Sequence, residues 1–391
     1  MRKYRQGKRG RRLLASGLAA VLAAGLLVSS GCGSADIGAQ NETEAKTRKE
    51  SQKDDKIQIG FSTDSYVLER WIRDRDMFVA AARELGAEVN VQDASGDAKE
   101  QVGQIEYFID KQVDVIAVIA RDCNALSGVI EKARNAGIPT ISYDRLISDA
   151  DTDLYISFDN RKVGELMAQS LEEVVPDGGE IFMIQGSPAD NNVKDVQEGF
   201  HDAIKNSNLN VVYDTYCDGW VADLAVDYVE EALEKYPDVK GIMCGNDDIA
   251  SRVIQVLAEN QLAGKVAVVG QDGDLAACQR IVEGTQYMTV YKSIEDIARL
   301  AAEYSVFMGK TKQEKKTADW EELFRETVAF SGENGQLVTL EPLENTVNDG
   351  SYEVPAYFLE PVAVTRENID EVIIDGGVHR RDEVYLNAYY Q

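Results

Sequence analysis

The sequence predicts an α/β protein of two doubly wound, parallel-sheet lobes, and three observations predict it. Short β-branched runs alternate with amphipathic stretches at a spacing of about 25 residues, as in βαβ units. The alternation starts again near residue 154, and 44% hydrophobic with 28% charged residues is the balance of a globular chain.

Taken in order, KIQIGF (56–61), AEVNVQ (87–92), VDVIAVIA (113–120) and IPTISY (138–143) are the first strands. Residues 69–85, 98–111 and 124–136 between them have helical spacing. Gly86 and Gly137 stand where helices end, because glycine takes the left-handed conformation of a helix terminus without steric cost. The second series has strands at LYISF (154–158), EIFMIQ (180–185), NVVYDTY (210–216), VKGIMCG (239–245), KVAVVG (265–270) and YMTVY (287–291). Its helices lie near 160–174, 191–205, 222–235, 248–260, 273–283 and 293–309. Each sheet therefore has about five strands. Residues 311–350 lose the alternation. Neither half opens with G-x-G-x-x-G or a P-loop, which argues against a dinucleotide or nucleoside triphosphate, and no cofactor is expected.

The N-terminus reads differently. Residues 1–12 (MRKYRQGKRGRR) are basic, 13–28 (LLASGLAAVLAAGLLV) almost wholly apolar, and SSGC follows at 29–32. That order is a secretory signal peptide over residues 1–31, with the small residues before Cys32 placed for lipoprotein cleavage and diacylglycerol attachment to the thiol. The position three before the cysteine is Ser29, where lipoprotein signals usually carry Leu, and an uncleaved anchor is the alternative. Residues 32–55 have the polar composition of a tether. As a flexible coil it would span roughly 25–30 Å. An extracytoplasmic domain anchored to the cell membrane is expected.

Charge narrows the partners. The chain carries 41 basic and 68 acidic residues, a net charge of -27. Removal of residues 1–12 takes seven basic residues and no acid, so the mature balance is 34 minus 68, or -34. Such a surface repels phosphate backbones, and no nucleic acid is expected. Cys123, Cys217, Cys244 and Cys278 include no C-x-x-C pair. Disulfides in any of three pairings are possible in an oxidising compartment, but the chain is long enough for a sufficient core, and buried thiols are expected. His201 and His379 show no ligand spacing; they are expected to be solvated, and no metal site is expected.

In open α/β sheets a ligand sits outside the carboxyl ends of the strands. Those ends carry SYVLERW (65–71), Asp144 with Arg145, GSPADNN (186–192), DGW (218–220), GND (245–247), QDGD (271–274) and Tyr291 with Lys292. A sugar offers hydroxyls that carboxylates and amides can bridge, that Arg can meet with a fork of donors, and a C–H face on which Trp can stack. Arg70, Trp71, Asp144, Arg145, Asp190, Asn192, Trp220, Asn246, Asp272 and Lys292 supply that set. Any one of them could instead be a helix cap or a solvated charge, Asp190 and Asp247 above all.

The strings LERWIRDRD (68–76), YDRLISDADTDLYISFDNRKVGEL (143–166), GSPADNN, DGW, GND, GKVAVVGQDGDLA (264–276) and GTQYMTVYK (284–292) closely resemble the D-xylose-binding proteins of ABC sugar importers, which are type I periplasmic binding proteins. The likeness runs from about 56 to 310 and resumes at 354–380. It implies a monosaccharide, D-xylose or a close aldose, held between two lobes joined by three crossings. The ten residues above match its ligand positions. The loop ARDCN (120–124) departs from the pattern, as do residues 311–350, which could be a partner surface or a variable excursion. The implied division is residues 56–157 with 291–350 in one lobe and 158–290 with 351–391 in the other. The implied partner is an ABC permease; a membrane histidine kinase or chemoreceptor is the alternative.

A glycosidase is the enzymatic rival, since paired carboxylates cleave glycosides. The resemblance puts Arg, Lys or Asn beside each acid, keeping it ionised, and no enzyme is expected. A sugar-responsive repressor would need a DNA-binding headpiece where this chain has a signal segment.

Overall fold

The computed structural model of the protein describes residues 56–314 and 318–388. The signal segment, the tether and Cys32 lie outside the described residues. In chain order the strands are β1 (Gln58–Thr63), β2 (Glu88–Asp93), β3 (Val115–Val118), β4 (Thr140–Tyr143), β5 (Leu154–Phe158), β6 (Gly179–Gln185), β7 (Leu209–Tyr216), β8 (Gly241–Cys244), β9 (Ala267–Asp272) and β10 (Met288–Tyr291). They continue with β11 (Val328–Ser331), β12 (Leu337–Leu340), β13 (Asn345–Asn348), β14 (Glu353–Leu359) and β15 (Val362–Thr365). The longer helices are α1 (Glu69–Glu84), α2 (Ala98–Asp110), α3 (Ser127–Asn135), α4 (Asn160–Val174), α5 (Asn191–Ile204), α6 (Leu224–Lys235), α7 (Asp247–Glu259), α8 (Leu275–Glu283) and α9 (Ile294–Gln313).

Two large sheets result. A seven-stranded one runs β13-β14-β5-β4-β3-β1-β2 and a six-stranded one β15-β10-β9-β8-β6-β7, both parallel except at their last pairs, β13–β14 and β15–β10. The central strands are buried throughout because helices cover both faces: every residue of β3 (VIAV), β4 (TISY) and β8 (GIMC) is buried. Helix starts are fixed by side-chain caps that satisfy otherwise unpaired N–H groups. Asp97, Asp159, Asp190, Asn246 and Ser293 each accept from a backbone N–H in the first turn of α2, α4, α5, α7 and α9. Gly86 (φ 89°) and Gly137 (φ 69°) end α1 and α3 as the sequence predicts.

The chain passes between the sheets at Asp159, after β5, at 292–293, after β10, and at Glu360–Pro361, between β14 and β15. The last passage corrects an expectation. Residues 353–359, assigned from sequence to the second lobe, form β14, which pairs in parallel with β5 from Ala356↔Tyr155 to Leu359↔Phe158. Their apolar side chains explain it: Val354 and Ala356 pack with Leu146 and Tyr155. Tyr291, expected to open the return segment, ends β10 instead. The unreadable stretch after 311 holds the β11–β12 hairpin, whose Phe330 lies with Trp320 and Phe324 against Phe307 of α9. The four described cysteines are buried and unpaired. Among the described residues no helix is long and apolar enough to cross a membrane.

Candidate functional site

Strand ends of the two sheets face one another, and their polar side chains meet. Arg70, in the first turn of α1 just after the β1 loop, is 5% exposed and is shared by three carboxylates. Its Nη2 donates to Asp144 Oδ2 at 2.9 Å, its Nη1 to Asp272 Oδ1 at 3.2 Å, and its Nε lies 3.5 Å from Asp74 Oδ2. Asp144 follows β4 and Asp272 ends β9, so this guanidinium links the two sheets. Lys292 adds a second cation, its Nζ donating to Asp272 Oδ1 at 3.0 Å. Burial opposes ionisation of Asp272, yet Lys292 and Arg70 together hold its carboxyl below the ordinary value.

Arg145 forms a parallel link. Its Nη1 donates to Asp64 Oδ2 and to the Ala120 carbonyl, both at 2.9 Å, while Nε lies 2.6 Å from Asp190 Oδ2, too oblique for a hydrogen bond. Asp190 caps α5 and also accepts from Trp220 Nε1 at 3.2 Å. Asp190 thus caps a helix and stands in the same cluster as the other candidates. Asn192 Nδ2 completes the third link, donating to the Asp144 carbonyl at 3.1 Å and to Asp144 Oδ1 at 3.2 Å. Burial pushes the Asp190 carboxyl up, against the opposing charge of Arg145.

Both guanidiniums lie over the Trp71 ring, Arg70 at 4.3 Å and Arg145 at 5.1 Å from its centroid, which is a cation–π arrangement. Trp71 therefore cushions the arginines, where the sequence alone suggests a stacking face for sugar. Trp71 Nε1 and Gln271 Oε1 are buried with no hydrogen-bond partner among the described residues. A buried group left so costs about 1–3 kcal/mol, which a polar ligand would relieve. Trp220 packs its six-membered ring on Gly186, where a Cβ would come within 2.2 Å of it.

Nine of the ten candidates are joined in this network. Asn246 is not: its Oδ1 caps α7 on the Ile249 N–H, and among the described residues no hydrogen bond joins its side chain to the others. The sequence reading missed four contributors. Asp64 directly follows β1, Asp74 lies one helical turn after Arg70, Gln271 precedes Asp272, and Tyr143 holds Asp74 Oδ1 through its hydroxyl at 2.5 Å. The i, i+4 spacing of Arg70 and Asp74 was the available signal. The departing loop 120–124 also takes part, since the Cys123 N–H donates to the Ala189 carbonyl of the facing sheet at 3.1 Å. His379, expected to be solvated, is half-buried and bonds the Gly273 carbonyl at 2.8 Å.

Comparison with known proteins agrees with this geometry. The D-xylose-binding periplasmic protein of Haemophilus influenzae is 41% identical over 334 residues, covering 84% of this chain and 92% of its own. The protein of the same name from Escherichia coli is 40% identical over the same shares. An ABC transporter solute-binding protein from Clostridium phytofermentans, solved with β-D-glucose, superposes with a TM-score of 0.70 at 24% identity, covering 84% of this chain and 99% of its own, a likeness of fold. With residues 59–311 matching the family model, the chain belongs to the periplasmic binding protein domain family.

Proposed function

We propose that the protein captures one D-xylose, or a closely related aldose, between the two sheets and delivers it unchanged to an ABC importer. The observation that carries this reading is the convergence of Arg70, Asp144 and Arg145 from one sheet with Asp190, Asn192 and Asp272 from the other. The relatives named for D-xylose binding support the choice of sugar. The two sheets act as cores of lobes that hinge at the three passages, and contacts available only in the closed form make binding drive closure. No carboxylate pair is left for acid catalysis, because Asp144 and Asp272 share Arg70 and Asp190 lies against Arg145. Cys32 carries the lipid that anchors the chain to the cell membrane. Calorimetry against a panel of pentoses and hexoses tests the reading: D-xylose is expected to bind most tightly, and no heat from any sugar would defeat it.

A further inference from the structure

Asp272 has φ 111°, a backbone conformation that a residue with a Cβ keeps only when its surroundings hold it there. The next residue, Gly273, is held at both ends. The Gly273 N–H donates to Asp247 Oδ2 at 3.0 Å and to Thr289 Oγ1 at 3.2 Å, while the Gly273 carbonyl accepts from His379 Nε2 at 2.8 Å. The same Asp247 oxygen accepts the Asp274 N–H at 3.1 Å and the Thr289 hydroxyl at 2.7 Å, and Gln286 Nε2 donates to Oδ1 at 2.9 Å. Asp247 is 1% exposed, and it does not cap its own helix, because Asn246 does that. Its carboxylate serves the turn after β9.

We propose that Asp247, with Thr289 and His379, positions the sugar site by clamping Gly273 through its N–H and its carbonyl, which fixes where the Asp272 carboxylate meets Arg70 and the ligand. The proposal rests on the reading of Asp272 as a sugar ligand. It explains why the C-terminal segment reaches the site, since His379 lies between Ile373 and Val384, which both pack on α8.

The clamp needs the ionised carboxylate, at which two backbone N–H groups and a hydroxyl point. Burial pushes this carboxyl up to about 6 against the opposing charge of Arg280. The charged and titratable groups facing it are Arg280 and Cys278 from α8, Asp272 from β9 and Cys244 from β8. Burial pushes both thiols up, so they stay neutral in mild acid, and Asp272 stays ionised beside Lys292 and Arg70. Asp247 is the carboxylate of this set that changes charge between pH 7.5 and about 5.5, and the His379 imidazole of the same clamp is controlled by the pH profile of His379→Gln.

The test compares the mature chain with Asp247→Asn, His379→Ala and His379→Gln by xylose calorimetry at both pH values. Asp247→Asn is expected to bind about tenfold more weakly at pH 7.5 and to lose part of the parent's decline in acid. Asp190 contributes its own slope to parent and variant alike, so the difference between them is read. His379→Gln, which keeps a donor, is expected to restore the affinity that His379→Ala loses. Hydrogen exchange over residues 270–276 without sugar is expected to quicken in Asp247→Asn and His379→Ala. Should Asp247→Asn not fold, Thr289→Val carries the affinity and exchange comparison. Unaltered affinity, pH profile and exchange in a sugar-binding parent's variants would overturn the clamp alone. A parent that binds no sugar, with exchange still quickened in the variants, would overturn the sugar reading and its link to the clamp.

Discussion

Replacing Arg70 with Met keeps the apolar stem and removes the charge that three buried carboxylates share. Asp272 then keeps Lys292, Asp144 keeps Asn192, and Asp74 keeps only the Tyr143 hydroxyl. Two charge-assisted hydrogen bonds at 2.9 and 3.2 Å are lost, one of them between the sheets. Each contributes about 1.5–3 kcal/mol, and the remaining partners and entering water offset part of the sum. A net loss of about 3 kcal/mol weakens xylose binding roughly a hundredfold. Arg70→Lys, which keeps the charge but not the fork, is expected to fall between. A second signature separates charge from shape. Burial already pushes the Asp74 carboxyl up to about 6 in spite of Arg70, and losing Arg70 pushes it higher. Arg70→Met therefore costs more stability at pH 8, where Asp74 is ionised, than at pH 6, where a proton neutralises it. Titration calorimetry and urea unfolding at both pH values read the two effects. Binding within threefold of the parent, or a stability loss that does not grow with pH, would refute the reasoning.

Other consequences follow from the same structure. Burial pushes Asp74 and Asp153 up to about 6, so between the unfolded value near 4 and pH 6 the folded chain binds protons that the unfolded chain releases. Stability should be greater at pH 5.5 than at pH 8, by roughly 0.8 kcal/mol per group, and a urea midpoint that rises with pH would contradict this. A Cβ at Gly199 would lie 1.9 Å from the Arg161 carbonyl oxygen, and one at Gly164 1.9 Å from that of Val196. Gly199→Ala should therefore destabilise by about 3 kcal/mol in denaturant unfolding, whereas helix propensity alone predicts a gain of about 1 kcal/mol. Cys32→Ala should lack the lipid and migrate as unprocessed precursor, held at the membrane by its uncleaved apolar segment; a variant as fully processed as the parent would exclude lipidation at that residue.

Most of the core sheets was legible because their strands are short, buried on both faces and separated by helices of strong amphipathic period. β14 was not. It contains Pro355, opens at Glu353, and gains its place only by covering β5, which no local pattern records. The site was legible where strand ends carry charged or aromatic residues, as at Asp144, Arg145 and Asp272. Contacts that depend on tertiary placement were hidden: Asp74 lies within a helix and His379 is remote in sequence from the Gly273 it touches. Asn246 caps α7 at a strand end, where a helix cap and a ligand position look alike in sequence.

Small-angle scattering of the mature chain with and without D-xylose, with the sugar analysed afterwards, tests the central claim most directly. Binding by closure predicts a smaller radius of gyration at saturating sugar, a raised melting temperature and sugar recovered unchanged. An unchanged radius and melting temperature across D-xylose and its relatives, or the appearance of a product on long incubation, would contradict the account.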